Sequence, residues 1–242
     1  GGVYTPGDTG AFTVVYTYTD KNNCTDSSES IITVINPTDA YGGLGQSVCI
    51  NAADIQLSGS PSGGGWSGST LVSPSGLFNP SQSGIFNLIY SNGSGTCLRK
   101  DTIIITVDSL PLVTVSPSNE ICLGDSMTLS AIGGDVYSWS PAIGLSATTG
   151  ATVTAAPVTT TIYTVTGTNS TTGCVNTASV TVTVNSLPIV NSGVDQQLCN
   201  QPIPVTLIGT PFSGGTWSGS NITPGGVYTP GDTGAFTVIY TY

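Results

Sequence analysis

Residues 1–18 read GGVYTPGDTGAFTVVYTY, and residues 225–242 read GGVYTPGDTGAFTVIYTY. Each residue of the first segment matches the one 224 positions later, except that Val15 answers to Ile239. Self-similarity at a fixed period is the mark of a repeat architecture, and it restricts the fold to units that stack along one direction. The chain is expected to be a window on a longer periodic sequence.

Weaker repeats lie inside that period. Trp66 sits in GGGWSGS, Trp139 in VYSWSPA and Trp217 in GGTWSGS. A G-x-[FY]-x-P turn follows the first and third of these, at 76–80 and 226–230. Strand-like runs close the units: SIITVINP at 30–37, DTIIITVDSLP at 101–111 and ASVTVTVNSLP at 178–188. The shared SLP reads as a junction, because proline fixes φ and ends a hydrogen-bond ladder. These landmarks divide the chain into the back half of a unit at 1–36, complete units at 37–109 and 110–186, and the front half of a unit at 187–242. The 110–186 unit is a second subtype, with WSPAIGLSATTGATVTAAPVTTTIYTV in place of the WSG pattern.

The residues name the fold class. Val and Thr favour strands, while Gly, Pro, Asn and Ser favour turns. Short strands recur every 8–12 residues, the spacing of a β-sandwich rather than of helices. In the third unit they are expected at 113–115, 126–131, 135–140, 152–155, 162–168 and 178–184. The Thr/Val alternation in the last of these predicts one buried and one wet face. No helical period appears. The fold class is therefore all-β: tandem sandwich domains in a linear, filamentous array.

Charge removes several functions. Lys21, Arg99 and Lys100 are the basic residues, set against thirteen carboxylates, for a formal charge of −10. A nucleic-acid partner requires a basic surface that this chain does not have. A basic patch on anionic lipid is absent for the same reason. No run approaches the roughly 18 apolar residues of a membrane span, so no membrane insertion is expected. There is no histidine, so Ser-His-Asp and Cys-His catalysis have no base. Most Asp residues sit in turn contexts, and GGGWSGS precedes no helix that would cradle a phosphate. The expectation is no enzyme, no catalytic residue and no cofactor. Asp20 and Asp26 in TDKNNCTD are the candidate calcium ligands, but no D-x-D-x-D-G pattern supports them, and solvated turn residues are the preferred reading.

The third unit runs ICLGDSMTL, YSWSPAIGLS, TIYTVTGTNSTTGC and ASVTVTV. It resembles the PKD-like, immunoglobulin-type repeats of giant Bacteroidota surface proteins, including SprB-type gliding adhesins exported by type IX secretion. The resemblance spans the whole window and is strongest over 110–186. It implies an extracellular, cell-surface location, a filamentous form and a part in adhesion or gliding. Partners would be neighbouring repeats of the same chain, laterally associated filaments, and surface glycans or a substratum met by regions outside this window. It also marks Thr102, Ser109 and Ser126, in Asp101-Thr-Ile, Asp108-Ser-Leu and Asp125-Ser-Met, as candidate O-glycosylation sites. Asn92-Gly-Ser and Asn169-Ser-Thr match the N-glycan acceptor pattern.

Six cysteines alternate between two contexts. Cys49, Cys122 and Cys199 are expected just before an early strand. Cys24, Cys97 and Cys174 follow a Gly/Asn-rich turn and precede the last strand. Without histidine, disulfides in an oxidising compartment fit better than zinc. Pairing within a unit, Cys49–Cys97 and Cys122–Cys174, is the simple choice. Yet the two contexts lie at opposite poles of a sandwich, roughly 20–25 Å apart along a strand, and a disulfide needs Cα atoms within about 7 Å. End-to-end stacking favours Cys49–Cys174 across the junction at Leu110-Pro111, with Cys24, Cys97, Cys122 and Cys199 paired beyond the window. Trp66, Trp139 and Trp217 are expected in the cores; a sugar-stacking platform is the alternative, as is an accessory region of a secreted hydrolase. Tyr90, Tyr163 and Tyr240 should pack similarly, one of them through a corner hydrogen bond.

Overall fold

The computed structural model describes residues 2–242. Its strands begin with a hairpin, β1 (Gly10–Thr19) and β2 (Thr25–Val34). A first sandwich follows: β3 (Gln46–Cys49), β4 (Ile55–Gln56), β5 (Gly65–Ser67), β6 (Leu77–Phe78), β7 (Gly84–Asn92) and β8 (Arg99–Asp108). The second sandwich holds β9 (Thr114–Val115), β10 (Asn119–Cys122), β11 (Met127–Ile132), β12 (Val136–Ser140), β13 (Thr152–Ala155), β14 (Thr161–Thr168) and β15 (Val175–Asn185). The chain closes with β16 (Val205–Thr206), β17 (Thr216–Gly219), β18 (Val227–Tyr228) and β19 (Val238–Thr241).

The second sandwich packs a sheet of order β10-β15-β14-β12 over a sheet of order β13-β11-β9. The first repeats the plan with β3-β8-β7-β5 over β4-β6. Both are Ig-like: the last strand lies between its hairpin partner and an early strand, and the strand bearing the tryptophan closes the sheet. Alternation makes the two faces. On β8, Ile103, Ile105 and Val107 are buried while Thr102 and Ile104 face solvent. On β14, Tyr163 and Val165 go inward, and on β15 Val180 and Val182 do the same.

One element is not among the expected strands. β10 pairs in parallel with β15, setting Cys122 opposite Asn185. β3 does the same with β8, setting Cys49 opposite Asp108. Cys49 and Cys122 therefore end strands of their own. Each cysteine does precede a strand, β4 after Cys49 and β11 after Cys122, but each also closes an early strand that clips onto the edge of the last one, which the sequence pattern did not predict.

Each tryptophan is in a core. Trp66 and Trp217 are 5% exposed and Trp139 is 3% exposed. The Trp139 indole N–H donates to the Gly150 carbonyl at 2.9 Å, which satisfies the polar edge of a buried ring. Trp66 packs on Tyr90 with ring centroids 5.2 Å apart, and Trp217 on Tyr240 at 5.1 Å. Tyr90 and Tyr240 donate their hydroxyls to the Pro61 and Pro211 carbonyls, and Tyr163 to that of Ile143 at 2.7 Å. These bonds cross to the chain around the preceding tryptophan strand. None runs a few residues back along the tyrosine's own segment, so the corner geometry is corrected too.

The repeated turn has a packing reason. Gly76 holds φ +90°, and a Cβ there would sit 2.7 Å from the Leu57 carbonyl oxygen and 2.8 Å from the Trp66 indole. Gly226 is the same against Leu207 and Trp217. The turn passes so close beneath the indole that only hydrogen fits. Gly76→Ala combines left-handed backbone strain with that clash, so it should cost at least about 1–2 kcal/mol. Chemical denaturation of the first sandwich, followed by Trp66 fluorescence, measures it; an unchanged midpoint would contradict this packing.

Candidate functional site

The two sandwiches meet at a covalent bridge. Cys49, at the end of β3, is bonded to Cys174, just before β15, with Cα atoms 5.7 Å apart and 125 residues of sequence separation. Cys174 is 1% exposed and Cys49 is half-buried. The bridge thus ties the far pole of one sandwich to the near pole of the next, beside the peptide junction at Ser109-Leu110-Pro111.

Strand direction decides this pairing. Cys122 lies opposite Asn185, at one end of β15, and Cys174 stands before Val175 at the other. Eleven residues of β15 separate the poles, roughly 35 Å at the usual strand rise. Cys97 precedes β8 while Cys49 lies opposite its last residue. Intradomain Cys49–Cys97 and Cys122–Cys174 bonds are out of reach. Cys24, Cys97, Cys122 and Cys199 are unbonded among the described residues, with Cys24, Cys122 and Cys199 exposed and Cys97 partly so.

Each side of the bridge has a local frame. After Cys49 the chain turns: Ile50 N–H donates to the Asp108 carbonyl and Ala52 N–H to that of Cys49, both at 2.9 Å. Around Cys174, Asn169 N–H donates to the Cys174 carbonyl at 2.9 Å, and Gly173 N–H to that of Asn169 at 2.8 Å. The Asn169 side-chain oxygen accepts from the amides of Thr171 and Thr172. Asp135 holds the loop from outside, accepting from Ser170 N–H at 2.8 Å and Ser170 Oγ at 2.9 Å. The junction is pinned as well, since Asn176 Nδ2 donates to the Pro111 carbonyl at 3.0 Å.

The Ser170 amide, and then its hydroxyl, hold the Asp135 carboxyl below its ordinary value of 3.8. A lowered folded-state pKa means that the carboxylate supports the fold above the unfolded value and loses that support as pH falls below it. The Cys174 loop should therefore loosen only below about pH 3.8. An NMR titration should place the Asp135 midpoint under that value, and Asp135→Asn should abolish the low-pH change in the Ser170 and Cys174 amide shifts. A midpoint at or above the ordinary value would overturn it.

The remaining candidate residues fall as follows. Asp20 spends both carboxylate oxygens on its own turn, accepting from the amides of Cys24 and Asn22 and from Asn22 Nδ2. Those contacts, the Cys24 amide first, hold its pKa low. Asp26 accepts from the amide of Ser27. Among the described residues no group of three or more His, Cys, Asp or Glu side chains is placed to hold a metal ion. Thr102, Ser109 and Ser126 are exposed. Asn92 directs its side-chain nitrogen to the carbonyls of Pro61 and Ser62. Phe212, in the loop between β16 and β17, is 80% exposed, but Ser62 holds the matching place after Pro61 in the first sandwich. Among the described residues no helix is long and apolar enough to cross a membrane.

No protein-family model matches the chain, and no curated protein does. Solved structures align with it only loosely. A fragment of the titin I-band aligns at 15% identity, covering 75% of this chain and 76% of that one, with a TM-score of 0.33. Drosophila OTK extracellular domains 3–5 align at 16% identity, covering 73% and 71%, with a TM-score of 0.33. Drosophila N-cadherin EC1-4 aligns at 15% identity, covering 94% and 76%, with a TM-score of 0.25. Scores this low carry no argument about function. The class rests on the chain's own sheets: tandem Ig-like β-sandwiches joined end to end.

Proposed function

We propose that the chain is part of the structural stalk of a long extracellular, cell-surface filament or adhesin, serving adhesion or gliding motility, and that it is not an enzyme. The observation that carries the reading is the Cys49–Cys174 bridge between consecutive sandwiches. A bond across a junction stops the two domains from separating or swivelling, and by closing a 125-residue loop it also constrains the unfolded chain. It also speaks for an oxidising compartment, where such bonds persist. Unit boundaries at 36/37, 109/110 and 186/187 and a recurring 224-residue period make the stalk a quasi-linear array. The resemblance to SprB-type Bacteroidota adhesins, with type IX export, gives the biological setting. The buried tryptophans support a shaft over a sugar-binding face.

Cryo-electron microscopy of the full chain tests the proposal. The expected image is a continuous row of sandwiches with bridging density at each resolved junction. Beads that tumble freely about their linkers would overturn it.

A further inference from the structure

Cys122 and Cys24 are each built like one half of the observed bridge. Cys122 ends β10 as Cys49 ends β3, and both lie opposite the last residue of the closing strand. Leu123 N–H donates to the Asn185 carbonyl at 2.9 Å and Asp125 N–H to that of Cys122 at 3.0 Å. These are the two bonds that Ile50 and Ala52 make around Cys49. Cys24 stands in the hairpin turn before β2 as Cys174 stands before β15. Asp20 N–H donates to the Cys24 carbonyl at 2.9 Å and Asn23 N–H to that of Asp20 at 3.1 Å, repeating the Asn169 and Gly173 pattern. Asn23 has φ +64° where Gly173 has +73°. The side chains of Asp20 and Asn169 each accept from amides inside their turn. Cys122 also opens onto a shallow concavity of about 510 Å³, shared with Glu120, Gly124, Asp125 and Asn185.

From this correspondence, which rests on the stalk reading, we infer that Cys122 forms a disulfide with Cys24 of the following copy of this sequence. The same order leaves Cys199 for Cys97 of that copy, so that every junction carries one bridge. Chain distances agree. With 224 residues per copy, the following Cys24 lies 126 positions beyond Cys122, and the following Cys97 lies 122 beyond Cys199, against 125 for Cys49 and Cys174. Three subtypes of junction would then close loops of nearly one length, as equal stacking of sandwiches requires.

The bond forms by thiol–disulfide exchange with an external disulfide donor. The Cys122 thiolate attacks one donor sulfur and expels a donor thiol. The Cys24 thiolate then attacks the Cys122 sulfur of that mixed disulfide and expels the second. The two cysteines are oxidised, the donor is reduced to two thiols, and the cysteine protons end on those thiols.

Pepsin digestion of the full chain, alkylated without reduction, reads the result by mass spectrometry. The peptide around Cys122 should appear joined to that around Cys24, and the peptide around Cys199 to that around Cys97, each pair separating on reduction. A Cys122 that is alkylated, or joined to Cys97, Cys174 or Cys199, overturns the pairing. Gel mobility of the intact material checks the continuity on which those distances rest: linked copies on one chain stay together on reduction, as expected, whereas copies that come apart lie on separate chains and overturn the inference. The pairing can fail without the stalk. A free Cys122 within a resolved row of sandwiches sinks this inference alone, whereas freely tumbling beads sink the stalk reading.

Discussion

Pulled from its ends with the bridge intact, the chain should hide the 125-residue segment between Cys49 and Cys174 from the load. Tension enters the first sandwich through β3, crosses the disulfide, and leaves the second along β15. Most of both sandwiches lies off that path. Reduction, or Cys49→Ser, puts the whole segment in line. At about 3.3–3.6 Å per extended residue, unfolding should then release roughly 410–450 Å more length. Single-molecule stretching with and without reductant measures the difference. Superimposable curves would mean that the bridge carries no load, and the stalk would lose its clamp. The bridge sits where it does because parallel pairing brings β3 to the end of β8, at the pole that faces the next domain.

Trp139→Ala should come close to unfolding the second sandwich while sparing the first. The ring is 3% exposed and packs in a cluster with Leu129, Val153, Tyr163, Val165 and Val182. Truncating a buried tryptophan costs about 3–5 kcal/mol. A unit of about 75 residues has roughly 4–11 kcal/mol to lose, at 0.05–0.15 per residue. The loss corresponds to a fall in Tm of roughly 12–40 °C for a domain of this size. The Trp66 cluster shares no residue with the Trp139 cluster, so calorimetry should split into two transitions, the upper one near its original temperature. A single transition moving as a whole would show that the sandwiches melt as one unit. A change of less than about 1 kcal/mol would place the ring at the surface, as a sugar-stacking platform requires.

Much of this was legible in the residues. The Thr/Val alternation of β15, the turn residues between strands and one tryptophan per unit specify sandwiches, because burial of one sheet face leaves a period of two that can be read directly. The strands β3 and β10 were not legible. Gln46-Ser-Val-Cys and Asn119-Glu-Ile-Cys are four residues each with no clear alternation, and they are strands only because the open edge of β8 or β15 supplies their partners. Gly76 shows the same division. Its place in a repeated turn is visible in the sequence, but its necessity comes from the Trp66 indole 2.8 Å from the missing Cβ.

The amino-acid sequence by itself determined the all-β class, the 224-residue period, the identity of the core aromatics and the two alternating cysteine contexts, since these depend on local pattern and on self-similarity. Only the tertiary structure decided which poles meet. The strand edge to which β3 and β10 attach, the hydrogen bonds that aim Cys49 and Cys174 at each other, and the carboxylate of Asp135 that steadies the Cys174 loop are contacts between segments far apart in the chain. No local pattern encodes such contacts, because their geometry exists only once the sheets have formed.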